Sequence, residues 1–175
     1  TKEERGNFFA AANSAELKLE QTYVTPAEIH SPMEPHATTA VWQGDKLEVY
    51  ESTQAIFNTR NKLAKAFALP AANVRVVSKF LGGGFGTKLS TWSATVLCVL
   101  AARICRRPVR LAQSRQNTYG GTGYRPRTVQ KLSLLASKNG KLTGIKHECI
   151  SESSSFHDFV EDGTDISARM YECPN

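Results

Sequence analysis

A run of glycines in the middle of the chain restricts its possible folds more than any other feature of the sequence. Four glycines lie in residues 82–86, between a strand-like run, 73–79, and a largely apolar run, 90–104. Glycine accepts positive φ angles and lets the backbone approach a ligand closely. N–H groups that precede a helix favour an anion such as a phosphate or an oxo group, and Thr87 and Lys88 are placed to assist. We therefore predict a ligand-binding loop. A plain tight turn between strand and helix is the alternative, and it accounts poorly for four clustered glycines.

Two common phosphate-binding motifs do not fit this loop. The Walker A pattern requires Gly where Thr87 precedes Lys88, and Ser or Thr where Leu89 follows it. The dinucleotide pattern GxGxxG requires Gly at position 87 or position 89, and neither is Gly. The sequence therefore argues against a nucleoside triphosphate or a dinucleotide as the ligand, and another ligand is needed.

Hydrophobic periodicity predicts a mixture of helices and strands. Two β-rich runs, 39–42 and 46–50, flank a short loop that contains Gly44, which predicts a hairpin. Amphipathic spacing predicts a helix between Ala55 and Pro70, and 90–104 predicts a second, buried helix. Further expectations are strands at 73–79 and 108–111, a polar Gly-rich loop at 117–123, an antiparallel ribbon of 128–137 and 141–152 joined at Asn139-Gly140, and a turn-rich stretch at 153–165. The predicted fold class is α+β, a mixed sheet with β-hairpins and two or more packed helices.

Length and composition set the scale of this fold. The chain has 175 residues, 41% of them hydrophobic, and no repeat or low-complexity linker divides it. We therefore expect one domain over 1–175 with no internal boundary. The chain begins at Thr1 without an apolar signal segment, so we expect both ends to have been cut from something longer.

The net charge of +6 raises the question of a polyanionic partner. Basic residues cluster only in 103–110, where a helix is expected to end and where cations are generally favourable, and nucleic-acid-binding aromatic motifs are missing. No apolar run approaches the roughly 20 residues that span a bilayer. The four cysteines form no CxxC pair, which argues against a zinc site and favours reduced thiols. We expect no nucleic acid, no membrane and a cytoplasmic location.

Several short motifs occur together in one order along the chain. They are Met33-Glu34-Pro35-His36, Ser52-Thr53-Gln54, the loop 82–88, and the segments 107–111, 122–126 and 140–145. In this order and approximate spacing they resemble the molybdenum-cofactor-binding large subunits of molybdenum hydroxylases, the xanthine dehydrogenase and aldehyde oxidoreductase family. The resemblance covers nearly the whole chain. It implies that 1–175 is the first half of a larger molybdopterin-binding domain.

The resemblance implies a pyranopterin-dithiolene cofactor, molybdopterin itself or its dinucleotide, which carries molybdenum with oxo, sulfido and hydroxyl ligands. Proteins hold such a cofactor by hydrogen bonds, so no side chain here is expected to bind the metal directly. By similarity, the Gln54 amide donates to the oxo group, and Gly83, Gly84, Phe85 and Gly86 form the cofactor-binding loop, with the backbone of Phe85 and Gly86 near the metal's ligands and the pterin. Without the resemblance, Gln54 is interpreted as a helix-start residue that bonds its own backbone.

Three further residues near these motifs require an interpretation. Glu34 and His36 could suggest an acid-base pair, but Pro35 between them favours a structural turn, and we assign them no catalytic role. Leu89 is assigned to the substrate pocket, because relatives that oxidise purines carry a Glu at the matching position. An apolar wall would leave ring nitrogens unpaired at a cost of about 1 to 3 kcal/mol each, which favours aldehydes or apolar aromatic heterocycles over xanthine. Simple packing in the first turn of the helix is the alternative for Leu89.

The resemblance also implies an oxidoreductase that hydroxylates its substrate with oxygen from water, with a Glu as the base. That Glu is expected beyond Asn175, so no catalytic residue is assigned within the chain, and the fragment is expected to be inactive alone. A [2Fe-2S] cluster and FAD are expected in partner domains or subunits of a hetero-oligomer, which is periplasmic rather than cytoplasmic if a partner carries an export signal. The rival hypothesis is a non-catalytic interaction domain with a basic partner-binding surface, which leaves the ordered motifs unexplained.

Overall fold

The computed structural model describes residues 3–155, 159–161 and 163–175. Four of the undescribed residues, 156–158 and 162, fall in the stretch 153–165, so the turn-rich structure expected there lies partly outside the described residues. The elements in chain order are α1 (Phe8–Ser14), β1 (Leu17–Thr25), β2 (Ala37–Gln43), β3 (Lys46–Glu51), α2 (Ile56–Ala66), β4 (Val74–Val77), α3 (Ser93–Cys105), β5 (Val109–Ala112), α4 (Arg115–Gly121), β6 (Thr128–Ala136), β7 (Leu142–Ser151) and α5 (Asp165–Met170).

Contacts divide the chain into two compact units. The central unit is Ile29–Tyr124, and the terminal unit combines Thr1–Glu28 with Arg125–Asn175. The sequence analysis expected no internal boundary, because no repeat or low-complexity linker divides the chain. The terminal unit is assembled from both ends of the chain, which no local pattern indicates. The α+β class with a mixed sheet is confirmed.

The central unit is built on a four-stranded mixed sheet in the order β4-β3-β2-β5. Its β2–β3 hairpin is the one that the sequence predicts, and Gly44 supplies the positive φ of 62° that the tight connection needs. β3 and β4 run parallel, with Leu47 opposite Val74 and Tyr50 opposite Val77. Because the two strands are parallel, the segments that follow them leave the sheet at the same edge.

Two helices bury the apolar side of this sheet. Leu63 of α2 and Val99 of α3 lie fully buried in one cluster with Leu47 and Val49 of β3. The indole N–H of Trp42 donates to the Val99 carbonyl oxygen at 3.0 Å and so joins β2 to α3. This core fixes the strands whose ends carry the residues of interest.

The apolar stretch Thr87–Cys105 is, by length and composition alone, long and apolar enough for a membrane-crossing helix. In the structure it divides into a 3-10 turn at Thr87–Leu89 and the 13-residue helix α3. A helix of 13 residues is about 20 Å long, shorter than the roughly 30 Å of a bilayer core. Cys98, Val99 and Ala102 of α3 are buried in the core, but Leu97, Leu100 and Ile104 are exposed. The helix is therefore buried on one side only, and the prediction of a buried helix is wrong for its other side.

The terminal unit is a three-stranded antiparallel sheet in the order β1-β6-β7. The predicted ribbon of β6 and β7 is confirmed, with a positive φ of 84° at Gly140 in its turn. β1 pairs with β6 over its whole length, from Leu17 opposite Ala136 to Thr25 opposite Thr128. All nine residues of β1 are nevertheless exposed.

One predicted loop is a helix in the structure. The segment 117–123 was expected to be a polar loop, but α4 occupies Arg115–Gly121. The Ser114 hydroxyl caps this helix by accepting a hydrogen bond from the Asn117 N–H at 3.1 Å. The cap satisfies a backbone donor that the helix itself leaves unpaired, and the two glycines of low helix propensity lie only in the last turn of α4.

Candidate functional site

The glycine loop follows β4 and has a backbone that few residues other than glycine adopt. Gly83 has a φ of 89° and Gly86 a φ of 98°, both in the left-handed half of conformational space. Phe85 has a φ of 53°, which costs a residue with a side chain on the order of 1 to 3 kcal/mol. Its ring is 64% exposed, so core packing does not compensate this strain. Strain of this kind is typical of functional sites.

Gln54 lies three residues after β3, at the same edge of the sheet as the glycine loop. Its side-chain Oε1 accepts a hydrogen bond from the Gly86 N–H at 3.0 Å, and its backbone N–H donates to the Lys88 carbonyl oxygen at 2.9 Å. A Cβ added to Gly84 would overlap the Gln54 side chain, so only glycine leaves room for it. The structure therefore brings Gln54, Gly84 and Gly86 together.

A set of hydrogen-bond donors remains free at this place. Because Oε1 of Gln54 is occupied by Gly86, the amide is oriented with its Nε2 hydrogens as donors, and within the described residues Nε2 has no partner. The backbone N–H groups of Gly83, Gly84 and Phe85 likewise have no partner in that part of the chain. The Gly86 N–H donates to Gln54 and is therefore not among these free donors. The free donors suit a ligand that presents hydrogen-bond acceptors.

Beneath the loop lies an ion pair between Glu34 and Lys88. The Lys88 ammonium, whose side chain is fully buried, donates to Oε2 of Glu34 at 2.8 Å and to the Glu34 carbonyl oxygen at 2.9 Å. Burial alone raises the pKa of Glu34, but the hydrogen bonds from Lys88 and the Gly82 N–H, together with the charge of Lys88, outweigh it and lower the pKa. Glu34 is therefore ionised at neutral pH.

His36 is buried next to this pair. Burial, followed by the nearby positive charge of Lys88, lowers the pKa of His36. The imidazole is therefore neutral at pH 7, and the carboxylate of Glu34 is committed to Lys88 and Gly82. These contacts agree with the interpretation of the Met33–His36 segment as structural.

Leu89 lies in the 3-10 turn between the glycine loop and α3 rather than in the helix itself. Its side chain is half exposed, and exposed aromatic rings lie nearby in the sequence at Phe80 and Phe85. The surface around the loop therefore combines exposed apolar side chains with polar backbone N–H groups. No group of three or more His, Cys, Asp or Glu residues that could bind a metal ion occurs among the residues described.

The sequence analysis did not anticipate the pairing of Glu34 with Lys88. It treated Glu34 as part of a turn and Lys88 as a residue able to assist an anion. The two residues are 54 positions apart, and no local pattern links a charge in one motif to its partner in another. Lysine is rarely fully buried without a partner, so a lysine at the boundary of an apolar run is the signal that could have suggested a buried pair.

Hydrogen-bond donors without a partner in the described chain, a strained glycine loop and an apolar rim fit one class of protein, a binding domain for an acceptor-rich cofactor. The model of the molybdopterin cofactor-binding domain family matches residues 1–175, which includes both compact units. The chain therefore belongs to the molybdopterin cofactor-binding domain family.

Named relatives agree with the family. The chain is 45% identical over 143 residues to the aldehyde oxidoreductase molybdenum-binding subunit PaoC of Escherichia coli K12, covering 82% of this chain and 20% of that subunit. It is 35% identical over 134 residues to an indole-3-acetaldehyde oxidase of Zea mays, covering 75% of this chain and 10% of that protein. The chain thus spans a fifth or less of these relatives' length.

A solved structure shows the same fold. The aldehyde oxidoreductase of Desulfovibrio gigas superposes with a TM-score of 0.76 at 24% identity, covering 84% of this chain and 16% of that one. None of these findings favours the rival hypothesis of a non-catalytic interaction domain.

Proposed function

We propose that Gln54 and the loop Gly83–Gly86 hold the molybdenum pterin cofactor of an enzyme that hydroxylates aldehydes or aromatic heterocycles. The observation that carries the proposal is the state of the Gln54 amide. Its oxygen is tied to the Gly86 N–H, while its Nε2 donor is free and exposed. A donor held in a fixed orientation, without a protein partner, suits an oxo or hydroxyl acceptor.

The free donors of the site fit the chemistry of this group. A molybdenum pterin presents oxo, carbonyl and ring-nitrogen acceptors, and the Gly83, Gly84 and Phe85 N–H groups have no partner among the described residues. When bound, the cofactor supplies the metal-centred oxidation. Gln54 would donate an Nε2 hydrogen to the cofactor and so orient it, and Gly84 leaves room for the Gln54 side chain. The exposed Phe85 ring would be available to a bound molecule.

The substrate assignment rests on Leu89 and on the relatives. Leu89 presents an apolar, half-exposed side chain beside the glycine loop. Leu89 cannot donate to or accept from the polar edge of a purine, so aldehydes or apolar aromatic heterocycles are the proposed substrates. Two relatives carry aldehyde oxidation in their names. A base Glu beyond Asn175, and partner domains or subunits with [2Fe-2S] and FAD, belong to the same proposal.

The proposal is tested by Gln54→Glu in the full-length enzyme. Glutamate keeps an oxygen that accepts from the Gly86 N–H but loses the Nε2 donor and adds a negative charge. We expect turnover per bound molybdenum to fall about 10- to 100-fold, the usual effect of removing a hydrogen bond that supports a metal site. The matched control is Gln43→Glu, the same chemical change at an exposed residue of β2.

Thermal unfolding, metal content and steady-state kinetics are measured for both variants. The proposal is rejected if Gln54→Glu turns over normally per molybdenum, or if Gln43→Glu loses as much activity.

A further inference from the structure

Lys88 is the largest side chain among those that are fully buried in the described chain. An ammonium group removed from water needs a counter-charge and hydrogen bonds to offset its desolvation. Glu34 supplies both, through its carboxylate at 2.8 Å and its carbonyl oxygen at 2.9 Å. The cations of the other ion pairs of the described chain, such as Arg75 with Glu48, are far more exposed than Lys88, whereas the Glu34 side chain is itself 35% exposed. The Glu34–Lys88 pair therefore differs in kind from the surface pairs.

Glu34 also holds the beginning of the glycine loop. Its Oε2 accepts a hydrogen bond from the Gly82 N–H at 2.9 Å, and its own N–H donates to the Gly82 carbonyl oxygen at 3.0 Å. A Cβ on Gly82 would lie 2.6 Å from the Glu34 Cβ, so glycine is required for this approach. One carboxylate oxygen thus binds Gly82 at the start of the loop and Lys88 directly after it.

The backbone of Lys88 extends the connection to Gln54. The Lys88 carbonyl oxygen accepts from the Gln54 N–H at 2.9 Å and from the Thr53 hydroxyl at 3.1 Å. The side chain of Lys88 therefore anchors to Glu34, while its backbone holds the residue that carries the free amide. Loss of the side-chain anchor would release both the end of the loop and the support of Gln54.

We propose that Glu34 and Lys88 form a positioning pair, which sets the placement of the glycine loop and of Gln54 against the molybdenum cofactor without touching the substrate. The inference rests on the proposed function of Gln54. A buried ion pair contributes little net stability relative to apolar residues of similar size, so stability alone gives no reason for Lys88. The need to hold the two ends of the glycine loop in place does give a reason for Lys88.

The test uses the full-length enzyme with its cofactor. Lys88→Met removes the charge and the donor and keeps the length of the side chain. The double variant Glu34→Gln with Lys88→Met removes both charges, so no carboxylate is left without its partner, and it still lacks the connection between them. Lys79→Met, the same change at an exposed lysine shortly before the loop, is the matched control. Molybdenum and pterin per subunit, the EPR spectrum of the reduced molybdenum centre, kcat, KM and the unfolding temperature are measured.

We expect the two Lys88→Met variants to lower kcat per bound molybdenum about 10- to 100-fold, with KM changed less and a shifted EPR spectrum. The double variant should unfold near the wild-type temperature and still show the kinetic and spectroscopic change. Lys79→Met should show neither. If the double variant recovers wild-type kcat and spectrum, or if neither variant folds, the pair is structural and the proposal is wrong.

Failure of the proposed function gives a different result. In that case the wild-type full-length protein binds no molybdenum pterin, or Gln54→Glu turns over normally while Lys88→Met does not. The two proposals are therefore judged by separate measurements on the same set of proteins.

Discussion

The two ends of the Gln54 amide have different roles, and this explains why glutamine suits the position. The oxygen satisfies the Gly86 N–H, which would otherwise lack a partner beside a strained turn. The nitrogen stays available as a donor. Glutamate would retain only the first role, and a shorter asparagine side chain would have to bridge the same gap with one methylene fewer. Both requirements point to a residue selected for an acceptor ligand rather than for helix capping.

Leu89 gives a prediction about substrate choice at the residue scale. In the full-length enzyme, Leu89→Glu should shift the ratio of kcat/KM for a purine to kcat/KM for an apolar aldehyde toward the purine. A carboxyl group can pair with ring nitrogens that leucine leaves unsatisfied, and a change of about 1.4 kcal/mol corresponds to roughly a tenfold shift in that ratio. Substrate pairs assayed on fully metallated enzyme provide the measurement.

The matched control for this prediction is Leu97→Glu, the same change at an exposed leucine of α3. An unchanged ratio in a correctly metallated Leu89→Glu enzyme would place Leu89 outside the substrate pocket. An equal shift in Leu97→Glu would show that the added charge acts without contact.

Sequence reasoning predicted the loop and Gln54 but not the contacts that hold them. Four clustered glycines and the ordered motifs indicate a candidate site, because the conformational freedom of glycine follows from residue type alone. The Glu34–Lys88 pair depends on two segments that meet only in the folded chain, and the positive φ of Phe85 is imposed by its neighbours. Neither follows from local pattern.

At the scale of secondary-structure elements, the Glu51 side chain connects β3 to β2 and to α3. Its buried carboxylate, at the end of β3, accepts hydrogen bonds from the hydroxyls of Thr38 on β2 and Thr95 on α3, the latter at 2.8 Å. Burial raises the pKa of Glu51 despite these hydrogen bonds and the positive charge of Lys88. The ionised form is thus penalised in the folded state.

This raised pKa predicts a pH-dependent effect of Glu51→Gln on stability. Between the ordinary glutamate pKa of about 4.5 and the raised value, the folded wild type binds more protons than the unfolded chain, so its stability falls as pH rises. Glutamine can accept from one hydroxyl through Oε1 and donate to the other through Nε2, and it carries no charge. The unfolding temperature of the variant relative to wild type should therefore increase with pH across this window.

Differential scanning fluorimetry of both proteins through this pH range measures the trend. Glu48→Gln, on the same strand but with a partly exposed carboxylate, is the matched control. A difference in unfolding temperature that falls with rising pH would contradict the assignment of Glu51 as a carboxyl destabilised by burial.

The end of α2 gives a second prediction at this scale. Ala68 follows the helix with a φ of 53°, and the Leu69 N–H closes the turn on the Ala64 carbonyl oxygen at 2.9 Å. The left-handed conformation costs alanine about 1 to 2 kcal/mol, and glycine's extra freedom in the unfolded chain offsets about 0.4 to 1 of this. Ala68→Gly should therefore stabilise the helix end by about 0.5 to 1 kcal/mol.

Hydrogen exchange of the amides in Ile56–Ala66 measures this effect locally in the full-length protein. Slower exchange is expected for Ala68→Gly. Ala66→Gly, at the exposed last residue of the same helix, should exchange faster because glycine costs up to about 1 kcal/mol in a helix. The reverse order would show that the left-handed turn carries no strain.

The predicted elements are those in which one side is buried, because apolar residues then recur with the period of a helix or a strand. The β2–β3 hairpin, α2, β4, α3, β5 and the β6–β7 ribbon all have one apolar side, and each was found. α1, β1, α4 and α5 were not assigned. β1 has no buried residue at all and is held by pairing with β6, more than 100 positions away, so its own sequence carries little sign of its partner. α4 depends on its Ser114 cap more than on an apolar face.

At the scale of the whole molecule, large apolar side chains are exposed in both compact units. Examples are Met33 and Phe80 in the central unit, and Leu19 and Val24 on β1 in the terminal unit. Exposed apolar side chains of this size mark interaction sites where they lie together. The chain spans about a fifth of the length of the relative PaoC. Together these facts support the proposal that other parts of a longer subunit cover these surfaces.

The final prediction concerns the chain 1–175 expressed alone. It should contain no stoichiometric molybdenum pterin after purification and oxidise no aldehyde, whereas the full-length subunit with its partners should do both. The reason is the exposure of the site: Gln54 and Phe85 are open to solvent, where water competes for every donor and each hydrogen bond contributes only about 0.5 to 1.5 kcal/mol. A few such bonds do not hold a cofactor in place. Elemental analysis, pterin fluorescence after oxidation, and circular dichroism to establish that the chain is folded are the measurements. Stoichiometric molybdenum in the folded chain alone would show that residues 1–175 contain the complete cofactor site.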